Sequence, residues 1–365
     1  MNYVINKESN TPAYIQLYRQ LRRAILDGDY PHGSKLPSKR VLAADTGVSV
    51  ITVEHAVLLL CEEGYTENRQ RSGCYVIFRR SDFNGEPAVS DGRQVSSLKP
   101  HNTGDFPYTV LAKTMRRVIL DYGERILIKS PNHGCPELRN EICAYLGRSR
   151  SMHVEPSQII IGSGAEYLYG LVAQLFGRET VFALESPSYD KIRKVYESFG
   201  NTCELLTLGT DGINSEELKR SKASVLHTTP FNSFPSGISV GISKKLEYLN
   251  WAAERSGMII EDNYDSELTV SGKPEDSLFS MSESGNVIYV NTFSKTIAPS
   301  MRIGYMVLPK HMADTFNEKL GFYSCTVPVF DQYVLAELLH SGDYERHINR
   351  VRRRKRKAMQ EKNPD

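Results

Sequence analysis

Few cysteines, no long apolar run and almost no net charge mark this sequence, and each shortage excludes a class of protein. The six cysteines, Cys61, Cys74, Cys135, Cys143, Cys203 and Cys325, are scattered without C-x-x-C spacing. That fits reduced thiols better than a disulfide framework or a zinc site, and no metal is expected. No apolar stretch approaches the roughly 20 residues that span a bilayer. Met1-Asn2-Tyr3-Val4 does not open a signal peptide. A cytoplasmic chain with no membrane partner is expected. The formal net charge of +2 names no partner, but its distribution is informative. Residues 1–80 hold eleven Lys/Arg against eight Asp/Glu, and residues 350–357 hold seven basic residues and no acid. A length of 365 residues with 40% hydrophobic and 24% charged residues suggests two or three soluble domains.

In residues 1–78, Tyr14, Leu17, Tyr18, Leu21 and Ile25 recur at helical spacing between Pro12 and Gly28. Ser38 is placed to cap a short helix over Lys39 to Asp45. After the turn Thr46-Gly47-Val48, Ser49 can cap a second helix with the apolar face Val53, Val57 and Leu60. Helix, turn and helix with a glycine in the turn is a DNA-reading geometry. Gly64-Tyr65-Thr66 and Gly73-Cys74-Tyr75-Val76-Ile77 read as two strands joined through the basic loop Asn68–Gly73, which makes a wing. Arg69 and Arg71 in that loop suit phosphate contact.

These ordered stretches, G-S-K-L-P-S-K-R-x-L-A, G-V-S-x-x-T-V, E-E-G-Y and S-G-C-Y-V, resemble the GntR-type winged helix-turn-helix over almost all of residues 11–78. The resemblance implies that Ser38, Lys39, Arg40, Ser49 and Thr52 face double-stranded DNA, with Gly73 at the wing tip. One position departs from the pattern. Val50 stands where the family usually has arginine, so that position offers apolar contact in place of phosphate or guanine contact.

Residues 79–105 are polar and rich in Gly, Ser, Asn and Asp, and read as a linker. From residue 106 to 345, apolar β-rich runs at Ile159–Ile161, Val181–Leu184, Val225–His227, Met258–Ile260, Val287–Val290 and Tyr305–Leu308 alternate with helical segments. The helical examples are Tyr167 to Phe176, Lys191 to Phe199 and Ser243 to Glu254. This predicts an α/β domain, a mostly parallel sheet with helices on both faces, whose chemistry gathers at strand ends.

The strand ends carry reactive groups. Gly162-Ser163-Gly164-Ala165 opens a helix and presents N–H groups to an anion. Asp262, just beyond a buried strand, needs a cationic partner, and a protonated pyridine nitrogen would serve. Lys295 follows the run Val287–Val290 and lies among hydroxyl residues, with Arg302 seven positions later. A desolvated lysine can lose its proton and form a Schiff base with an aldehyde. Hydroxyls and an arginine suit a phosphate. Pyridoxal 5'-phosphate is the aldehyde that carries its own phosphate.

The order of these motifs resembles the fold-type I pyridoxal-phosphate enzymes, the aminotransferase group. The resemblance implies Lys295 as the Schiff-base lysine, Asp262 against the pyridinium nitrogen, Tyr264 on the ring's phenolic oxygen and Tyr189 stacked on the ring. It implies Ser163, Gly164, Ala165, Thr292, Ser294 and Arg302 around the phosphate. Asn232-Ser233 replaces the usual His-Gln and Asn263 a common second aspartate, so ligand preference is open.

A GntR-type head on an aminotransferase-like body resembles the MocR/GabR-type bacterial regulators. That implies a homodimer that binds operator DNA and senses an amino-acid-like or pyridoxal effector through the cofactor. The resemblance further implies a longer small subdomain after residues 346–365, with an arginine that clamps a substrate carboxylate, so the C-terminal subdomain is expected to be incomplete. Two other readings stay open. One is a working pyridoxal-phosphate aminotransferase with an accessory N-terminal domain, although the enzyme-like chemistry expected of this chain goes no further than transaldimination or half-transamination. The other is a relative that binds DNA without cofactor.

Overall fold

The computed structural model describes residues 3–6, 9, 11–69, 72–79, 106–269 and 276–362. The chain divides into two compact units, Met1–Ser97 and Leu98–Asp365. Apart from Arg79, the expected linker lies outside the described residues.

In the first unit, α1 (Ala13–Asp27) buries Leu17, Tyr18, Leu21, Ala24 and Ile25, spaced by three or four residues along one face. Gly28 ends it in the left-handed region at φ +89°, where glycine has no Cβ to clash. The Ser38 hydroxyl accepts from the Val41 N–H and starts α2 (Lys39–Thr46). The Ser49 hydroxyl accepts from the Thr52 N–H and starts α3 (Val50–Glu62). Both serines are therefore the caps expected of them. Leu17, Leu21, Leu42, Val53, Ala56, Val57, Leu60 and Val76 form one buried core. Strands β1 (Thr66–Arg69) and β2 (Gly73–Val76) make the antiparallel wing, with Thr66 opposite Val76 and Arg69 opposite Gly73. The first strand starts at Thr66, two residues later than the sequence suggests, because Gly64 at φ +77° and the Tyr65 N–H bonded to the Leu60 carbonyl turn the chain.

Among the described residues the second unit holds a seven-stranded sheet and, in chain order, the helices α4 (Tyr108–Tyr122), α5 (Pro136–Arg150), α6 (Ala165–Phe176), α7 (Asp190–Ser198), α8 (Ser215–Arg220), α9 (Ile242–Glu254), α10 (Leu278–Met281), α11 (Ala313–Leu320), α12 (Val329–His340) and α13 (Asp343–Lys362). Its strands in chain order are β3 (Ile159–Gly162), β4 (Val181–Ser186), β5 (Thr202–Thr207), β6 (Val225–Thr228), β7 (Met258–Asp262), β8 (Val287–Thr292) and β9 (Gly304–Val307). They lie in the order β3-β9-β8-β7-β6-β4-β5. The ladder from β5 to β8 is parallel, while β9 runs antiparallel to both β8 and β3. The sheet is thus mostly parallel, as expected, with one reversed strand. It follows a tight return, the segment between Thr292 and Gly304 that holds Lys295. The strand not anticipated, β5, sits at the edge; its Thr-Cys-Glu-Leu-Leu-Thr is half-solvated and carries no long apolar run.

Alternation within the strands covers both faces. Ile160, Phe182, Leu184, Ile260, Ile288 and Met306 pack with α6 (Ala165–Phe176). Neighbours of opposite parity, Ala183, Leu226, Ile259 and Val287, pack with α9 (Ile242–Glu254). Ile159, Ile161, Tyr289, Tyr305 and Val307 pack with α5 (Pro136–Arg150) and α12 (Val329–His340). The first turns of the basic helix Asp343–Lys362 join that last cluster through Tyr344 and Ile348. Among the described residues no single helix is long and apolar enough to cross a membrane.

Candidate functional site

The carboxyl ends of β4, β6, β7 and β8 and the start of α6 converge on a cavity of about 340 Å³. Its lining includes Ala165, Tyr189, Asp262, Tyr264, Thr292, Ser294, Lys295 and Arg302, residues up to 137 positions apart in the chain brought together by the sheet. A cavity at the strand ends of an open α/β sheet is where such folds bind ligands.

Asp262 is buried at the last position of β7. It accepts a hydrogen bond from the Tyr169 hydroxyl on α6 and a longer one, 3.3 Å, from the Tyr264 N–H. His227 Nε2 lies 3.8 Å from it and has no hydrogen-bond partner, while His227 Nδ1 is 2.8 Å from the Tyr196 hydroxyl. Burial and the adjacent Asp262 carboxylate push the Tyr169 phenol well above its ordinary range, which keeps it a donor.

Lys295 is half-exposed into the cavity. Its amine is 2.8 Å from Asp265 Oδ2 and 4.7 Å from the centroid of the Tyr264 ring. The Tyr264 hydroxyl donates to the Asn232 carbonyl at 3.1 Å. Burial, then the charges of Asp265 and Asp262, push that phenol up to about 12. Tyr189 stands at the cavity mouth, edge-on to Phe234 with ring centroids 6.4 Å apart.

The other end of the cavity is cationic. Arg302 pairs with Glu166 at 2.5 Å, and Glu166 also takes Lys191 at 3.0 Å. Burial raises the Glu166 carboxyl, but the bonds from Arg302 and Lys191 outweigh it and the net displacement is downward. Gly164, at φ +98°, brings the backbone under Arg302, and a Cβ there would stand 2.9 Å from Arg302 Nη2. The Ser294 hydroxyl donates to the Met301 carbonyl at 3.1 Å, and the Thr292 N–H to Asn291 Oδ1. Gly164 and Ser163 are not in the lining, although Gly164 lies against Arg302, which is. Ser163 is engaged elsewhere, its N–H donating to the Thr326 hydroxyl at 3.2 Å.

Tyr169, His227, Glu166, Glu185 and Asp265 belong to the site without being singled out by the sequence, whereas Asn232 was marked there as a pocket departure. Glu185, fully buried at the end of β4, accepts from Thr228 Oγ1, the Thr229 N–H and Ser233 Oγ, and so ties down the loop that carries Asn232. Burial raises its carboxyl. A signal existed for Asp265 and Glu185, since both are acids flanking apolar strands. For Tyr169 and His227 there was none, because each reads as an ordinary core residue.

On the first unit, Arg40 is exposed in the first turn of α2, and Ser49, Val50 and Ile51 are exposed around the start of α3. The Ser49 and Thr52 hydroxyls lie 2.8 Å apart. Lys39 is engaged by Glu54, and Arg69 lies 4.7 Å over the Tyr75 ring with Glu67 at 3.5 Å. Gly73, at φ +122°, leaves room only for the Lys35 side chain. Arg71 lies outside the described residues.

Residues 13–76 match the bacterial regulatory proteins of the gntR family, and residues 100–362 match aminotransferase class I and II. The chain is 33% identical to "Uncharacterized HTH-type transcriptional regulator YdeL" of Bacillus subtilis, over 97% of this chain and 80% of that protein. It is 28% identical to "Probable rhizopine catabolism regulatory protein MocR" of Rhizobium meliloti, over 96% of this chain and 78% of that protein. Among solved structures, a Pyrococcus horikoshii kynurenine aminotransferase aligns with a TM-score of 0.63 and 25% identity, over 68% of this chain. This chain spans 64% of that enzyme's length.

Proposed function

This chain belongs to the MocR-type HTH transcriptional regulators, a GntR-type winged helix joined to a class I and II aminotransferase body, and from that premise we propose that it binds operator DNA and carries pyridoxal 5'-phosphate on Lys295 as the sensing element. The observation that carries the cofactor half is the convergence of Lys295, Asp262 and Arg302 on one cavity.

The residues fit the group. A buried carboxylate at one end, Asp262, suits a protonated ring nitrogen, and would hold that proton in place. At the other end, Ala165 at the N-terminus of α6, together with Arg302, Thr292 and Ser294, suits a phosphate, with Gly164 beside Arg302 just outside the lining. The absence of room for a Cβ at Gly164 keeps that approach close. Tyr189 would cover the ring, and Tyr264 would donate to its phenolic oxygen once its hydroxyl leaves the Asn232 carbonyl. Ser163 would contribute only from outside the lining. When bound, the cofactor supplies an aldehyde for amines and an electron sink.

Ser38, Lys39, Arg40, Ser49 and Thr52 would meet DNA from the first turns of α2 and α3, with Arg69, Arg71 and Gly73 at the wing. The protein would act in the cytoplasm as a homodimer, pairing two heads on a two-fold operator, and an amine-bearing effector would reach Lys295 through the cavity mouth.

The test is a gel shift on DNA upstream of the protein's own gene, run beside an absorbance spectrum of cofactor-supplied protein. Sequence-selective binding together with a visible band that borohydride bleaches supports the proposal. DNA binding without any band in folded, cofactor-supplied protein contradicts the sensing half. A band with turnover of amino acids and no selective DNA binding would favour an enzyme.

A further inference from the structure

Asp265 has no part in the cofactor scheme above, yet it is the closest charged neighbour of Lys295. Its side chain is only 5% exposed and its Oδ2 lies 2.8 Å from the Lys295 amine. The same oxygen accepts from Asn232 Nδ2, while Oδ1 is buried with no hydrogen-bond partner. Asn232 is itself held. It sits at φ +53°, its N–H donates to Ser239 Oγ at 3.0 Å, and its carbonyl accepts from Tyr264. The Tyr264 ring supplies a second surface attractive to a cation, 4.7 Å from the amine. Together these groups form a seat for one ammonium, and the Lys295 amine fills it.

A buried carboxylate that loses its cation is left at high cost. Lys295 as a free ammonium offers Asp265 three protons and a full charge. Bonded to a carbonyl carbon, its nitrogen offers one proton at most and is drawn toward that carbon. Asp265 therefore stabilises released Lys295 more than engaged Lys295, and a group that binds one state better shifts the balance toward it.

We propose that Asp265 is a positioning residue for Lys295, the seat that receives its freed ammonium and thereby favours exchange of Lys295 for an incoming primary amine. The inference rests on the reading that Lys295 carries pyridoxal phosphate. In the exchange the incoming nitrogen forms the C=N bond to the carbon that Lys295 held, and the C=N bond to Lys295 breaks. The three protons of the incoming ammonium end on Lys295 Nζ, so atoms and charge balance with no further reagent. The effector class that follows is a primary amine presented as its ammonium form.

The experiment uses the full chain supplied with pyridoxal phosphate and titrated with methylamine, reading the visible absorbance. Borohydride-fixed cofactor on Lys295 is measured in parallel. Asp265→Asn is expected to keep as much reducible cofactor as the wild type but to require at least about tenfold more methylamine for the half-maximal change. Asp265→Glu should recover most of the response, and Asp265→Ser should behave as Asp265→Asn does. A half-point in Asp265→Asn within about twofold of the wild type overturns the proposal. So does loss of the cofactor from both Asp265→Asn and Asp265→Ser, which would make Asp265 a holder of the cofactor and not a seat for released lysine. Wild-type protein that takes up no cofactor refutes the proposed function itself, a result separable from either of these.

Discussion

The winged-helix unit and the aminotransferase-like body put their charged groups in opposite surroundings. Around α2 and α3 the reactive groups are exposed, come from short neighbouring stretches, and two of the serine hydroxyls serve first as helix caps. Around Lys295 they come from five elements, and Asp262 and Asp265 are almost wholly out of solvent. Exposed ion pairs such as Lys39–Glu54 give little stability and are screened by salt. The pair Lys295–Asp265, half-exposed at the amine but buried at the carboxylate, is screened less. If the first unit reads DNA and the second holds the cofactor, binding at the exposed surface should be salt-sensitive and binding in the cavity much less so.

Perturbations should split the two accordingly. The largest effect is expected from Lys295→Ala, which should abolish the borohydride-sensitive band while DNA affinity, measured by gel shift without cofactor, stays within about threefold. Raising salt from about 50 to 200 mM should weaken operator binding by about a thousandfold, if some six phosphates are contacted per protein, with bound cofactor scarcely changed on a desalting column. Gly164→Ala forces a Cβ to within 2.9 Å of the Arg302 guanidinium at φ +98° and should weaken pyridoxal-phosphate binding about tenfold by equilibrium dialysis, leaving DNA binding intact. Val50→Arg, at an exposed first position of α3, should add about one phosphate contact and steepen the salt slope by about 0.9, without touching the cofactor. Ser49→Ala should cost about 1 kcal/mol of stability through loss of the cap, seen in thermal unfolding of the full chain as an earlier first transition.

How much of this could be read from residues alone follows the same divide. The caps at Ser38 and Ser49 and the ending glycine at Gly28 act within three or four residues, so the order of amino acids carries them directly. The buried strands of the sheet were legible as apolar runs, whereas β5 was not, because this edge strand exposes Thr202, Leu205 and Thr207, half-buries Cys203 and Glu204, and buries only Leu206. Lys295, Asp262 and Arg302 stood out because a charged group next to a buried strand needs a partner. The partners themselves were hidden. Tyr169 donates to Asp262 across 93 positions of sequence, and Glu166 meets Arg302 across 136. Asp265 did carry a signal, as an acid beside an apolar strand, but it was overshadowed. It lies in Asp262-Asn263-Tyr264-Asp265, where one acid already had a role, and only the fold turns the second one toward Lys295.

The central claim is that Lys295 holds the cofactor while a separate unit reads DNA. Its most direct test is borohydride reduction of the purified, pyridoxal-phosphate-supplied protein, followed by peptide mapping by mass spectrometry. The account predicts one modified peptide, carrying the reduced pyridoxyl phosphate on Lys295 and found in protein that still shifts operator DNA. Label spread over surface lysines such as Lys191 and Lys310, with Lys295 unmodified, would contradict it.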